Sequence, residues 1–473
     1  MNVLLVQPPL DDKPVPGFIY SGDTSFPIGL AYLAAALEER GHKVEVIDFQ
    51  AAKDPRDKFL ERVRQGGLGA IGFSTTIASI RSTCGLAEAA RGLDGKVPLI
   101  VGGAYPSTYG GQDVLGRCEA LSIAVIGEGE QTAAELLDCL GRGGDLESVQ
   151  SIAFRRGAQI QETPRRPLIE DIDSIPLPAR HLFDLAAYGR LAPGQFLRLP
   201  QLPILSARGC PYHCEFCDDK AVWLGRVRLR APESIVAEIE EMIRKYRVRE
   251  LKFYDDTLTV SRQRLVRLCE LLAERRLDIV WRCSARVDEV DPELLGLMRR
   301  AGCRSISYGI ESGDDEVLKK MDKGTTTKQA RDAVRWTNAA GIAANGMFIL
   351  NYPGETVETV EKTIALAHEL DLGFAGFNLA MPLGSKLREK IIRGYRLNQE
   401  VWDHPSYSGT EIWFYQEGLT PEYLKEAYAR AARGFYLRPA YLLRALSSIR
   451  NIDVLKSYLR GFFRLMSLRC SGT

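Results

Sequence analysis

Three cysteines stand close together in this 473-residue chain: Cys210, Cys214 and Cys217, in the run Ser206-Ala-Arg-Gly-Cys-Pro-Tyr-His-Cys-Glu-Phe-Cys217. Thiolates spaced Cys-x3-Cys-x2-Cys can each take one iron of a cubane [4Fe–4S] cluster. A fourth cysteine would saturate the cluster, whereas three leave one iron open to a substrate or cofactor. The one further candidate nearby is His213, adjacent to Cys214 and so poorly placed to reach the same cluster. A structural zinc ion normally needs a fourth ligand and pair-and-pair spacing, so open-iron chemistry is the expectation. The other cysteines (Cys84, Cys118, Cys139, Cys269, Cys283, Cys303 and Cys470) are scattered and too sparse for a disulfide scaffold. The sequence shows no secretory signal, so the thiols are expected to be free and the triad a metal site.

The triad needs a frame. From Leu202 onward, apolar runs at Leu202–Ser206, Glu250–Tyr254, Ile279–Ser284, Arg304–Gly309, Ala344–Leu350 and Phe374–Ala380 alternate with helical periodicity at Pro232–Tyr246, Ser261–Arg275, Pro292–Ala301 and Val357–Glu369. Six strand–helix repeats suit a partial (β/α)6 barrel, whose chemistry sits at the C-terminal mouth of the strands, where the cysteine loop begins. Residues 1–141 show the same alternation on a smaller scale, which predicts a doubly wound, Rossmann-like parallel sheet. Small residues stand at its expected strand ends: Pro8 and Pro9; Ser74, Thr75 and Thr76; Gly102 and Gly103; Gly127, Glu128 and Gly129. These ends are where such sheets take ligands. The G-x-G-x-x-G fingerprint is missing from the first turn, which counts against a nicotinamide dinucleotide. The expected organisation is α/β throughout, with a ligand domain over 1–141, an extended connector over 142–199, the barrel over 200–390 and a helical C-terminal region over 391–473.

Composition narrows the class. The chain is 45% hydrophobic and 26% charged, with 62 basic and 61 acidic residues, so whole-chain attraction to nucleic acid is not indicated. No apolar run reaches the length of a membrane span. The tail over 421–473 is different. It has ten basic against three acidic residues, interleaved with Tyr441, Leu442, Leu443, Leu446, Tyr458, Leu459, Phe462 and Phe463. An amphipathic cap closing the barrel is the reading adopted for it, with peripheral membrane or lipid contact as the alternative.

The triad after the first barrel strand, with the aromatic Phe216 before the last cysteine, resembles the radical S-adenosylmethionine (SAM) family. The resemblance implies that the open iron chelates the amino and carboxylate groups of SAM. An electron from the cluster then cleaves SAM to methionine and a 5′-deoxyadenosyl radical. It further implies SAM-contacting positions at the later strand ends: Asp255 and Asp256 after the second, Arg286 after the third, Glu311 and Ser312 at the fourth, and Asn351 in Asn351-Tyr-Pro-Gly-Glu355 after the fifth. Asn351 departs from the family pattern, which usually has glycine there.

A doubly wound domain ahead of such a barrel resembles the cobalamin (B12)-binding branch of that family. The strand-end residues of 1–141 are the matching positions. None of the histidines (His42, His181, His213, His368 and His404) sits in the D-x-H-x-x-G pattern that supplies a cobalt ligand in mutases and methionine synthase. Cobalt would lack that ligand, and a methyl group on it should then transfer more readily as a radical. The implied activity is methylation of an unactivated carbon, or of phosphorus, through methylcobalamin. Radical cyclisation, rearrangement or oxidation without methyl donation is the alternative, and a non-catalytic cobalamin or cluster sensor is an alternative of another class. The branch implies a small-molecule, lipid or peptide substrate, a reductant such as flavodoxin or ferredoxin, and a cytoplasmic setting. A tRNA methylthiotransferase is disfavoured, because the first domain has no second cysteine cluster and no basic RNA-binding appendage of the usual kind follows. His42, in the turn Arg40-Gly-His-Lys, is expected to be solvated, and Cys283 and Cys303 to be inert buried thiols.

Overall fold

The computed structural model describes residues 1–11, 26–188, 198–403, 409–449 and 452–467. His404, Arg450, Arg469 and Cys470 lie outside the described residues. The chain divides into two compact units. One comprises the described residues up to Tyr188 together with Asp219–Leu224, and the other comprises the remaining described residues.

The first unit is built on a seven-stranded sheet of β1 (Asn2–Gln7), β2 (Lys43–Asp48), β3 (Ala70–Ser74), β4 (Leu99–Gly102), β5 (Ile123–Val125), β6 (Ile152–Arg156) and β7 (Gln159–Glu162), in the order β2-β1-β3-β4-β5-β6-β7. The first five strands are parallel, and β6 and β7 add an antiparallel edge. Strand alternation explains why helices cover both faces. Leu4 and Val6 of β1 enter one core with Ile71, Phe73, Leu99 and Val101, while Val3 and Leu5 enter the opposite core with Ala70, Ile100 and Ile123. The order reverses direction between β1 and β3, the switch point at which such sheets open a crevice. Two features differ from the sequence expectation. The stretch read as an extended connector contains the β6–β7 hairpin, and a helix at Pro55–Arg64 precedes β3. That helix buries only Phe59 and Val63, too sparse an apolar stripe to stand out by periodicity.

The second unit holds a six-stranded, wholly parallel sheet of β8 (Gln201–Ile204), β11 (Glu250–Phe253), β12 (Val280–Ala285), β13 (Cys303–Glu311), β14 (Ala343–Leu350) and β15 (Phe374–Leu379), adjacent in that order. Between β8 and β11 a short antiparallel ribbon pairs β9 (Ala207–Arg208) with β10 (Arg228–Leu229). All six strands anticipated from the sequence are present, in register and in order. Side-chain caps start four of the helices between these strands. Asp291 accepts from Leu294 N at 2.9 Å, Asp314 caps Asp315–Lys320, and Thr326 and Thr356 form capping boxes. Each cap fixes where a mouth loop must end. The C-terminal region adds helices Pro421–Tyr436, Pro439–Ser448 and Ile452–Ser467. Among the described residues, no helix is long and apolar enough to cross a membrane.

Candidate active site

Because the six strands run parallel, their C-terminal ends share one rim, and the sequence-predicted residues of the second unit line it. The cysteine loop leaves β9 with Cys210 and Cys214 half-buried and Cys217 and His213 exposed. Its shape comes from backbone bonds: Cys217 N donates to Cys214 O at 3.2 Å, and Glu215 N to Met321 O at 2.9 Å. Glu215 also accepts from Tyr352 Oη at 2.7 Å and from Lys390 Nζ at 3.0 Å, so later strands and helices anchor the loop. Gly384 presses on it from outside. A Cβ there would stand 2.9 Å from Cys217 O, 3.0 Å from Phe216 C and closer still to Glu215 O. Gly384 has ordinary backbone angles (φ −65°, ψ 136°), so alanine there meets a purely steric conflict. Gly384→Ala is therefore expected to displace the loop, costing about 1–3 kcal/mol and lowering the iron bound after anaerobic reconstitution. Full iron content in that variant would show that the contact is not needed.

Beneath the loop lies a buried charge network. Lys323 Nζ, from the turn Asp322-Lys-Gly324, donates to Glu311 Oε1 at 2.9 Å and lies 5.6 Å from the centre of the Phe216 ring. Arg286 stacks on Tyr212 at 3.6 Å and donates to Asp288 at 2.9 and 3.0 Å and to Lys323 O at 2.7 Å. Tyr212, Thr257 and Thr259 all donate to Glu289, Thr257 at 2.8 Å. Burial pushes the Cys214 thiol up, and the positive charges of Lys323 and Arg286 oppose that shift. The same two cations suit a triad of thiolates carrying a cluster. Among the described residues, no three His, Cys, Asp or Glu side chains gather about one point as ligands of a single ion. A cubane instead takes one cysteine per iron, and one loop bearing three cysteines suits that demand.

Two strand ends carry left-handed backbone on residues other than glycine. At β13 a register shift between Gly309 and Glu311 puts Glu311 at φ +67°, and such bulges re-aim a side chain. Room for the Glu311–Lys323 pair exists because Gly309 has no side chain: a Cβ there would meet Lys323 Nζ at 2.7 Å and the Glu311 carboxylate. At the end of β14, Asn351 lies at φ +63°. Its departure from glycine is thus conservative, since asparagine is among the few other residues that tolerate this region. Asn351 is fully buried and accepts from Gln416 Nε2 at 2.8 Å, while its own Nδ2 has no partner among the described residues.

The remaining predicted positions divide by exposure. Asp255 is buried and ties β11 to β8 by accepting from Ser206 N at 2.7 Å and from the Ser206 hydroxyl; burial holds its carboxyl above the usual range. Asp256 is exposed. Ser312 is fully buried, with its hydroxyl 3.2 Å from Thr363 Oγ1 and accepting from Asp314 N at 3.2 Å, which makes it part of the turn. Lys323, Glu289, Tyr212, Glu355 and Gln416 were not singled out by the sequence. All but Glu355, which accepts from Tyr352 N three residues away, act through partners distant in sequence, and Lys323 had only its small Asp-Lys-Gly turn as a signal.

In the first unit the predicted small residues do form one row at the strand ends. Thr75 N donates to Gly102 O at 2.8 Å and Tyr105 N to Thr75 O at 3.0 Å. Ser107 links β4 to β5, donating to Gly103 O and accepting from Gly127 N, both at 2.9 Å. Glu128 accepts from Ile169 N at 2.8 Å. Gly103 (φ +97°) must be glycine, because a Cβ would meet the Thr75 backbone at 2.8 and 2.9 Å. Gly127 (φ +81°) has open space where a Cβ would point, as a strand end that admits a bulky ligand requires. Pro8 is buried, and Pro9, Ser74 and Thr76 are half-buried. The expectation for His42 is corrected: it is 7% exposed, with Nδ1 3.1 Å from the Met1 amino nitrogen and Nε2 3.5 Å from Asp138. Burial and the neighbouring amino group lower its pKa. It precedes β2 and so lies at the opposite end of the sheet from the small-residue row. His181 lies there too, 3.1 Å from Glu38 near the end of helix Ile28–Glu39. Cys283 and Cys303 are buried and carry no disulfide, as expected.

Comparisons with known proteins give the same picture. Residues 204–367 match the Radical SAM superfamily, and residues 18–137 match the B12 binding domain. A radical SAM barrel combined with a B12-binding domain is the class these matches describe. An "uncharacterized methyltransferase" of Pyrococcus horikoshii is 30% identical over 466 residues, covering 98% of both chains. The anaerobic magnesium-protoporphyrin IX monomethyl ester cyclase of Rubrivivax gelatinosus is 26% identical over 454 residues, covering 92% of this chain and 79% of its own. The solved radical SAM methyltransferase TsrM of Kitasatospora setae, with cobalamin and a [4Fe-4S] cluster bound, superposes with a TM-score of 0.72 at 18% identity, over 100% of this chain and 99% of that one; it speaks to the fold. The chain belongs to the cobalamin-binding radical SAM enzyme family, whose cofactors are a [4Fe–4S] cluster, SAM and cobalamin.

Proposed function

We propose that this enzyme transfers a methyl group to an unactivated carbon, or to phosphorus, of a small-molecule substrate. The observation that carries the proposal is the pairing, in one chain, of a three-cysteine barrel loop with a B12-binding sheet whose histidines lie at the end away from its ligand row. Cys210, Cys214 and Cys217 hold the cluster. Phe216 would pack beside it, and Arg286, Glu311 and Lys323 would form the charged floor that orients the amino acid part of SAM. Asn351 and the backbone about it shape the adenine side. In the first unit, the row from Thr75 to Gly129 would receive cobalamin. The bound cofactors supply radical generation and methyl donation; the chain orients them and excludes water. The enzyme draws its electrons from a small reductant such as a flavodoxin or ferredoxin and works in the cytoplasm.

The test is anaerobic incubation of the reconstituted, cobalamin-loaded and reduced protein with SAM bearing a deuterated methyl group. Recovery of the labelled methyl group on the extracted corrinoid is the expected result. Release of 5′-deoxyadenosine with no label on the corrinoid would move cyclisation or rearrangement to the front, as the cyclase relative suggests. Absence of corrinoid binding would remove the first unit from the reaction.

A further inference from the structure

The basic, aromatic tail splits into two parts with opposite surfaces. Helix Pro421–Tyr436 is a cap: Leu424, Ala427, Ala431 and Phe435 are buried, and Tyr436 Oη donates to Ala375 O of β15 at 2.7 Å. Arg438 then donates to the carbonyls of His368, Leu370 and Leu372 at 3.4, 3.2 and 2.7 Å and lies 4.0 Å over the Phe435 ring. It fixes the point from which the last two helices depart. Beyond it the pattern inverts. Leu442, Leu443 and Leu446 on Pro439–Ser448, and Leu459, Phe462 and Phe463 on Ile452–Ser467, are 40–68% exposed. Single exposed apolar residues are ordinary; six on two consecutive helices make a patch that calls for an occupant.

Charge indicates which occupant. At 100° per residue, Leu455, Leu459, Phe462 and Phe463 fall along one side of the final helix. Leu465, which is buried, marks the edge by which the helix rests on the protein. Along the other edge the sequence places Lys456, Arg460 and Arg464 at successive steps of four residues. From Arg438 to the end the sequence has a single acid, Asp453, and seven basic residues, of which Arg438 is taken up by carbonyls and Arg444 by Asp371 at 2.7 Å. An apolar strip bordered by a basic row is the pattern of a helix lying in the headgroup layer of a bilayer, where anionic lipid attracts each lysine or arginine. A second copy of the chain fits less well, because a two-fold contact would bring the same basic row against itself with no acidic row to pair.

We propose that helices Pro439–Ser448 and Ile452–Ser467 seat the enzyme on an anionic phospholipid surface. The proposal is independent of the reaction assigned above. The full-length, reconstituted protein is floated with phosphatidylcholine vesicles containing about 30% phosphatidylglycerol, and with phosphatidylcholine alone. The anionic vesicles are expected to carry at least about tenfold more protein, and added salt should release it. Leu443→Glu combined with Phe463→Glu should lower binding by about tenfold or more, with iron content and circular dichroism unchanged. Lys456→Glu combined with Arg460→Glu, which leaves Leu459, Phe462 and Phe463 in place, should abolish the preference for anionic lipid. Three results would overturn the proposal: no flotation with either vesicle, flotation indifferent to both double variants, or a dimer in sedimentation velocity that Leu443→Glu with Phe463→Glu dissociates while no vesicle binds.

Discussion

Lys323→Met is expected to destabilise the second unit by about 3–5 kcal/mol, because it leaves the Glu311 carboxylate buried without its partner. Both side chains of the pair are less than a tenth exposed. The desolvation cost of the two charges is therefore met by their mutual contact, and removing one strands the other. Lys323 also faces Cys214 and the Phe216 ring, so the same variant should take up less iron. Denaturant unfolding under anaerobic conditions measures the loss, and the double variant Glu311→Gln with Lys323→Met tests its cause. If the charges are coupled, the double variant recovers a large part of the stability lost in Lys323→Met. A double variant as unstable as the sum of the singles would show that Lys323 acts through packing alone.

The second large effect concerns Glu355, in the loop that follows β14. Burial pushes its carboxyl up to about 8, against an ordinary value of 4.5. One carboxylate oxygen accepts from Tyr352 N at 2.8 Å, and the other has no partner among the described residues. Such a site is better served by the neutral acid. The sign follows from linkage. Between pH 4.5 and 8 the folded chain keeps a proton that the unfolded chain has lost, so this group's contribution to stability falls as pH rises through that window. The decline is about 1.4 kcal/mol per pH unit in the middle of the window and is complete above it. Glu355→Gln keeps the acceptor for Tyr352 N without the titration. Its thermal midpoint should match that of the native protein near pH 4 and exceed it at pH 8.5, where the stability difference is on the order of a few kcal/mol. Parallel pH curves for the two proteins would mean that Glu355 is ionised throughout.

Much of the scaffold could be read from the chain because local signals agreed with the global fold. The six barrel strands are apolar runs with helical periodicity between them, and the cysteine spacing has a meaning that does not depend on tertiary structure. The charged floor was legible only in part. Arg286 and Glu311 stand at strand ends, where position alone suggests chemistry. Lys323, Glu289 and Gln416 gain their meaning from partners 12, 77 and 65 residues away, respectively. His42 was misread for the same reason: glycine before it and lysine after it describe a surface turn, yet the Met1 amino group and Asp138 close over the ring. The β6–β7 hairpin was missed because its second strand, Gln159–Glu162, is a polar edge strand with no buried residue, so alternation is absent there.

The grip on the cysteine loop has a consequence for the order of assembly. Tyr352, Gly384 and Lys390 all follow Cys217 in the chain by well over a hundred residues. At roughly 5–20 residues per second, synthesis of that intervening stretch takes on the order of ten to thirty seconds. For that time a nascent chain displays three thiols without the contacts from Tyr352, Gly384 and Lys390 that grip their loop. Iron and sulfur offered during translation would meet an unformed receptor, and metals with simpler demands would compete for the same sulfurs. Correct metalation therefore belongs after helix Ser385–Gly394 has been made and has closed on the loop.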